Sequence, residues 1–117
     1  MIKSFQDFIV WQKGHKLVLT LYKLTKFFPE EERFGLVSQM RRSAVSICSN
    51  IAEGYKKSTR DFWRLLDIAQ GSLEETKYHI ILSRDLGYFN NDDYTQIMSL
   101  TNEVGLMLNS LMKKLIR

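Results

Sequence analysis

Apolar residues recur along this chain at alternating spacings of three and four, the repeat of an amphipathic helix rather than of a strand. The first run spans about Asp7 to Phe28 and aligns Val10, Gly14, Leu17, Leu21, Leu24 and Phe28 on one stripe. Pro29, the only proline, follows it and can stop a helix without breaking one. Beyond the acidic stretch Glu30 to Glu32, a second run from about Leu36 to Tyr55 aligns Leu36, Met40, Ala44, Ile47 and Ile51, with Gly54 marking its end. Ser58 with Asp61 has the spacing of a capping box and opens a third run, in which Phe62, Leu66, Ala69, Leu73, Thr76 and Ile80 share a stripe before Gly87. The polar turn Asn90 to Asp93 starts a fourth. There Tyr94, Ile97, Thr101, Val104, Leu108, Leu111 and Leu115 keep the alternation to the C-terminus. No strand-like run of useful length interrupts these segments. Helices joined by short connections pack antiparallel, so the pattern predicts an all-α, antiparallel up-and-down four-helix bundle in one domain, residues 1–117.

Composition agrees and narrows the classes. A chain of 117 residues buries roughly two-thirds of its unfolded surface, enough for one core without metals or disulfides. Hydrophobic residues at 44% and charged residues at 26% mark a globular rather than a disordered chain. No apolar stretch approaches the ~18 residues of a membrane span, so no membrane partner is expected. The opening MIKSFQDF lacks the charged and apolar regions of a secretory signal. Cys48 is the sole cysteine, which fits a reducing compartment, and a cytoplasmic location is expected.

Some apolar residues fall outside the four stripes. Ile68, Leu82 and Leu86 sit opposite the main stripe of the third helix, on a second line with Ser72, Glu75 and His79. Trp11, Val18 and Tyr22 form an edge on the first helix, with Leu19 beyond it. Surplus apolar faces predict subunit contacts, so a homo-oligomer is expected, with Trp11, Tyr22, Ile68, Leu82 and Leu86 at its interface. The competing reading is a compact bundle that curls around both sides of a helix. On the second helix, Ala44, Cys48 and Ala52 repeat every four residues and Ser43, Ser46 and Ser49 every three, which permits close helix approach. Arg41 falls within the apolar arc of that helix. It either pairs with a carboxylate, Glu74 or Glu75, or snorkels to water.

The residues that carry chemistry are scattered. His15, Cys48 and His79 lie on three different helices, and the Glu-x-x-His motif of di-iron bundles is absent because His79 stands four after Glu75. Cys48 among small packing residues reads as an inert thiol. The glycines form neither G-x-G-x-x-G nor a P-loop. No catalytic residue, metal or cofactor is predicted, and the chain reads as non-enzymatic. The cations are more suggestive. The formal net charge is +4, and Arg41, Arg42, Lys56, Lys57, Arg60 and Arg64 lie close together in sequence against only Glu53 and Asp61. Lys56, Lys57, Arg60 and Arg64 surround the turn between the second and third helices, with Phe62 and Trp63 beside them. Such a patch can hold the phosphate backbone of RNA or DNA. The competing reading is that lysines at a helix C-terminus answer its dipole and keep the bundle soluble.

QMRRSAVSICSNIAEGYKKS followed by DFWRLLDIAQGSLEE resembles the bacterial four-helix-bundle family of rRNA intervening-sequence proteins. FQDFIVWQKGHKLVLTLYKLTKFFPEEERFGL is similar to that family's start, and LGYF to its junction between helices three and four. The resemblance implies an up-and-down bundle with no established enzymatic activity. It also implies kinship with the accessory variability proteins of diversity-generating retroelements, which form basic pentameric barrels acting with a reverse transcriptase and nucleic acid. A homopentameric scaffold associated with RNA is therefore the leading expectation, and a scaffold for a partner protein the alternative. The family motif falls on Asn50, Ile51, Ala52, Glu53 and Gly54 and on Ser72, Leu73, Glu74 and Glu75, which read as structural. Asn50 and Glu53 are expected to tie the end of the second helix, and Ser72 to let helices two and three meet.

Overall fold

The computed structural model describes residues 1–116, and among these four helices account for nearly all regular structure. They are α1 (Ile9–Thr25), α2 (Leu36–Gly54), α3 (Thr59–Asp85) and α4 (Asn91–Leu115). Each packs on two neighbours, in the order α1–α2–α3–α4 and back to α1, as an antiparallel up-and-down bundle requires. The molecule measures 44 × 24 × 21 Å, its long axis set by α3 and α4.

The stripes become the core. All five stripe residues of α2 and all six of α3 are buried, as are Ile97, Thr101, Val104 and Leu108 of α4. At the last turn of α4, Met112 takes the inward position expected of Leu111, because a straight helix drifts off a three/four alternation. Threonine can occupy these stripes because its hydroxyl is satisfied locally. Thr76 Oγ1 donates to the Ser72 carbonyl at 2.8 Å and Thr101 Oγ1 to that of Ile97 at 2.7 Å.

Both ends of α1 differ from expectation. Its start is preceded by a 3-10 turn, Phe5–Asp7, closed by a reciprocal capping box between Ser4 and Asp7, and Phe8 is extended. The helix therefore begins at Ile9 rather than near Asp7. It stops at Thr25 rather than Phe28. The buried Thr25 hydroxyl donates to the Leu21 carbonyl at 2.6 Å, and Pro29 restricts the residue before it to extended conformations. Phe28 remains in the core through Tyr88 and Phe89, each 5.1 Å away between ring centroids. Tyr88 Oη also donates to Glu32 Oε2 at 2.8 Å, tying the acidic loop to the junction of α3 and α4. That junction turns on Gly87, whose φ of 82° is left-handed. Its N–H bonds to the Arg84 carbonyl, and that of Tyr88 bonds to the Ser83 carbonyl, which makes a Schellman stop.

The seam between α2 and α3 is small and polar. Ser46 Oγ lies 2.9 Å from Ser72 Oγ, and Ser43 Oγ lies 2.7 Å from Thr76 Oγ1, so the helices meet through hydroxyls as the small residues suggested. Asn50 does not tie the end of α2. Its amide turns back one turn to the Ser46 carbonyl at 2.8 Å.

Candidate nucleic-acid interface

The turn between α2 and α3 is tight. Tyr55 N–H bonds to the Ile51 carbonyl and Lys57 N–H to that of Gly54. Ser58 then caps α3 by accepting from the Asp61 N–H at 3.2 Å, one half of the expected box. A Cβ on Gly54 would stand 2.7 Å from Phe62 Cδ1, so glycine lets the first turn of α3 fold back over the end of α2 without displacing that ring. Lys56, Lys57, Arg60 and Arg64 project from this corner, all exposed. Arg64 faces Asp61 at 3.9 Å, while among the described residues Lys56, Lys57 and Arg60 form no ion pair. Four cations around one turn, held in water, can receive phosphate oxygens from a backbone of regular spacing.

The aromatic residues beside the turn face inward. Phe62 is 6% exposed and packs on Phe8 at 5.8 Å, and Phe8 in turn packs on Tyr55 at 5.8 Å. Trp63 is half-buried, and its indole N–H finds no acceptor among the described residues. The corner therefore offers charge without a stacking platform.

The six basic residues do not form one patch. Arg41 and Arg42 lie at the other end of α2, roughly 22 Å from Lys56 at 1.5 Å per helical residue. Arg41 takes neither Glu74 nor Glu75. Its Nε donates to Thr25 Oγ1 at 3.0 Å and an Nη to the Tyr22 carbonyl at 3.2 Å, and its guanidinium lies 4.3 Å from the Tyr22 ring centroid. The C-terminal end of α1 supplies oxygens in place of both expected partners, a carboxylate and water. Glu74 instead pairs with Lys77 at 3.0 Å, and Glu75 faces His79 at 3.7 Å. Two residues that the periodicity did not single out, Arg33 and Phe34, sit beside Arg41 in the loop before α2.

The expected interface residues fall on two edges. On α1, Trp11 is half-buried against the core and stacks on His15 at 4.9 Å, while Tyr22 is exposed next to α2. On α3, Leu82 is half-buried and Ile68 and Leu86 are exposed, on the line whose Ser72 and His79 touch α2. Trp11 and Leu82 thus spend part of their surface within the subunit.

The nucleophile and metal candidates stay apart. Cys48 is buried on the α1 side of α2, and burial pushes its thiol up to about 12, so it is protonated and inert. His79 is buried on the α3 side, 3.4 Å from Ser43 Oγ; burial lowers its pKa and Glu75 pulls the other way. Among the described residues no three His, Cys, Asp or Glu side chains converge to hold a metal, and no helix is long and apolar enough to cross a membrane.

A bundle of this kind, with its thiol buried and its exposed cations around a turn, defines a class by its fold: a small all-α four-helix protein. The chain belongs to the 23S rRNA-intervening sequence protein family, whose model matches residues 6–110. It is also similar to a protein of unknown function from the S23 ribosomal protein family of Bacteroides thetaiotaomicron VPI-5482, known from a crystal structure at 1.70 Å. The two share 30% sequence identity and superpose with a TM-score of 0.82, over 90% of this chain and 96% of that one. No curated protein matches the chain.

Proposed function

We propose that this protein is a non-enzymatic, homo-oligomeric scaffold of the cytoplasm that associates with nucleic acid, RNA foremost, through the cations of the α2–α3 turn. The observation that carries the reading is the exposed group Lys56, Lys57, Arg60 and Arg64 around one turn, with a single carboxylate paired into it. The family's name, which refers to 23S rRNA, supports RNA over other polyanions.

A ring supports this function better than a monomer does. Two unlike apolar edges flank the outward face of α2, one with Trp11 and Tyr22 and the other with Ile68, Leu82 and Leu86. The face between them carries Ser38, Val45 and Ser49, beside Arg42 and Glu53. Unlike edges meet head to tail, and head-to-tail contacts form a ring where the rotation between copies closes. The kinship expected between this family and the pentameric accessory variability proteins sets the proposed number at five. Each ring then repeats the turn, and weak phosphate contacts add.

Filter binding of RNA across a salt series tests the reading. Affinity falls with salt, and the double charge reversal Arg60→Glu/Arg64→Glu abolishes it. Salt-independent affinity, or none at low salt, sinks the phosphate mechanism. The second reading, a scaffold for a partner protein, draws on the apolar groove between Phe8, Ile9, Leu106 and Leu111, about 570 Å³ in volume. Capture of a partner that survives the same charge reversal favours it.

A further inference from the structure

The opposite end of α2 carries what the turn lacks. A groove of about 400 Å³ opens there between the end of α1, the loop before α2 and the first turns of α2. Tyr22, Arg33, Phe34, Val37, Arg41 and Arg42 line it, and no carboxylate does. We propose that this groove seats an unpaired nucleotide of single-stranded RNA, with its phosphate on the arginines and its base on Phe34. The proposal rests on the reading that the protein contacts nucleic acid, but it places base contact at the other end of α2 from the phosphate cluster.

Three features point to this ligand. First, Arg41 is already fixed by its bonds to Thr25 and the Tyr22 carbonyl, so its planar charge forms part of the groove wall before any ligand arrives. Second, Phe34 is 86% exposed, an unusual position for so large an apolar ring, and Arg33 lies over it at 5.3 Å. Arg33 and an incoming base can sandwich that ring, a sequence-tolerant way of holding unpaired bases. Third, among the described residues Arg42 makes one side-chain bond, donated to Gln39 Oε1 at 3.4 Å, and Arg33 has, besides its place over Phe34, an exposed 3.5 Å pair with Glu30. Arg42 can swing to a phosphate and bind it with two N–H groups, while Arg33 keeps its place over the Phe34 ring and adds its charge to the same groove. An acidic peptide would satisfy the arginines but leave Phe34 in water. A duplex would offer phosphates, yet its stacked bases could not reach the ring. Tyr22 ends the α1 edge proposed as a subunit contact, so the groove opens beside that contact.

Fluorescence anisotropy with a short labelled oligouridylate, and with a duplex RNA of equal length, tests the proposal. Phe34→Ala removes an exposed ring and keeps the fold, which circular dichroism checks. It weakens oligouridylate binding at least about fivefold and leaves duplex binding unchanged. Arg33→Gln/Arg42→Gln weakens oligouridylate binding and lowers its salt slope by about 1. Unchanged oligouridylate affinity in Phe34→Ala overturns the proposal. So does displacement of oligouridylate by a polyglutamate peptide as readily as by unlabelled oligouridylate, which would assign the groove to acidic proteins. Dissociation of the assembly by Phe34→Ala, seen in light scattering, would assign it to a second copy of the chain. The turn is tested separately by Lys56→Glu/Arg60→Glu. If that variant alone loses both RNAs, the groove fails and the turn stands; if Phe34→Ala alone loses oligouridylate, the turn fails and the groove stands.

Discussion

The two ends of α2 are built from the same residue types arranged in opposite ways. At the C-terminal end, Lys56, Lys57, Arg60 and Arg64 face water while Phe62 is buried beneath Gly54. At the N-terminal end, Arg41 is tied down against α1 while Phe34 stands in solvent. Cations beside aromatics in sequence therefore have no fixed meaning. An aromatic on the core stripe stabilises the corner that displays the charge. An aromatic off the stripe is free to meet a ligand. Under the proposed function, the first arrangement would serve phosphates alone, and the second phosphate and base together.

Stability measurements can break this contrast. The largest effect is expected from Phe62→Ala, which empties a buried site and costs about 3–5 kcal/mol in urea unfolding. Phe34→Ala stays within about 0.5 kcal/mol, as exposed substitutions do. Equal losses at the two positions would erase the distinction. Gly54→Ala comes next, at about 1–3 kcal/mol, because the new methyl meets the Phe62 ring. A variant as stable as the parent would show that the corner relaxes freely. Arg41→Ala, losing two hydrogen bonds and its ring contact, is expected to cost about 1–2 kcal/mol, against almost nothing for Arg60→Ala.

The smallest effect belongs to pH and sharpens the account of the α2–α3 seam. Burial lowers the pKa of His79 in the folded state, so below its ordinary value of 6.5 the unfolded chain binds more protons than the folded one. Stability from this group is present above that pH and declines as pH falls below it. Thr76, Ser43 and Glu75 are the polar neighbours, and Glu75 is the one that opposes the shift. Denaturation midpoints taken on either side of that value should fall on acidification in the parent and fall less in His79→Gln. A parent whose midpoint rises on acidification would mean that the Glu75 attraction outweighs burial.

The core was legible because periodicity reports burial. Leu66, Ile80 and Ile97 lie where a three/four spacing places them, and Thr76 and Thr101 join them because their hydroxyls bond back into their own helices. The same pattern contained the answer at the turn. Phe62 belongs to the α3 stripe, so it could not also face outward beside Arg60 and Arg64. Other features had no such signal. Arg41 was expected either to pair with a carboxylate or to snorkel to water, but it is met by a threonine hydroxyl and a backbone carbonyl, and no residue type advertises a carbonyl within reach. The end of α1 depended on the Thr25 side chain and the conformation that Pro29 imposes on Phe28. Arg33 and Phe34 lie in a loop without a period. Their nearness to Arg41 and Arg42 appears only once that loop is seen folded against the first turns of α2.

Repetition underlies the proposed function, since a single turn makes few phosphate contacts and the two unlike edges beside α2 are proposed to meet between copies. Light scattering on the purified protein at micromolar concentration tests that directly. The account predicts one species of about five times the 13.8 kDa chain, shifted toward lower mass by Leu86→Glu at the exposed α3 edge. A single species of 13.8 kDa across that concentration range would contradict it.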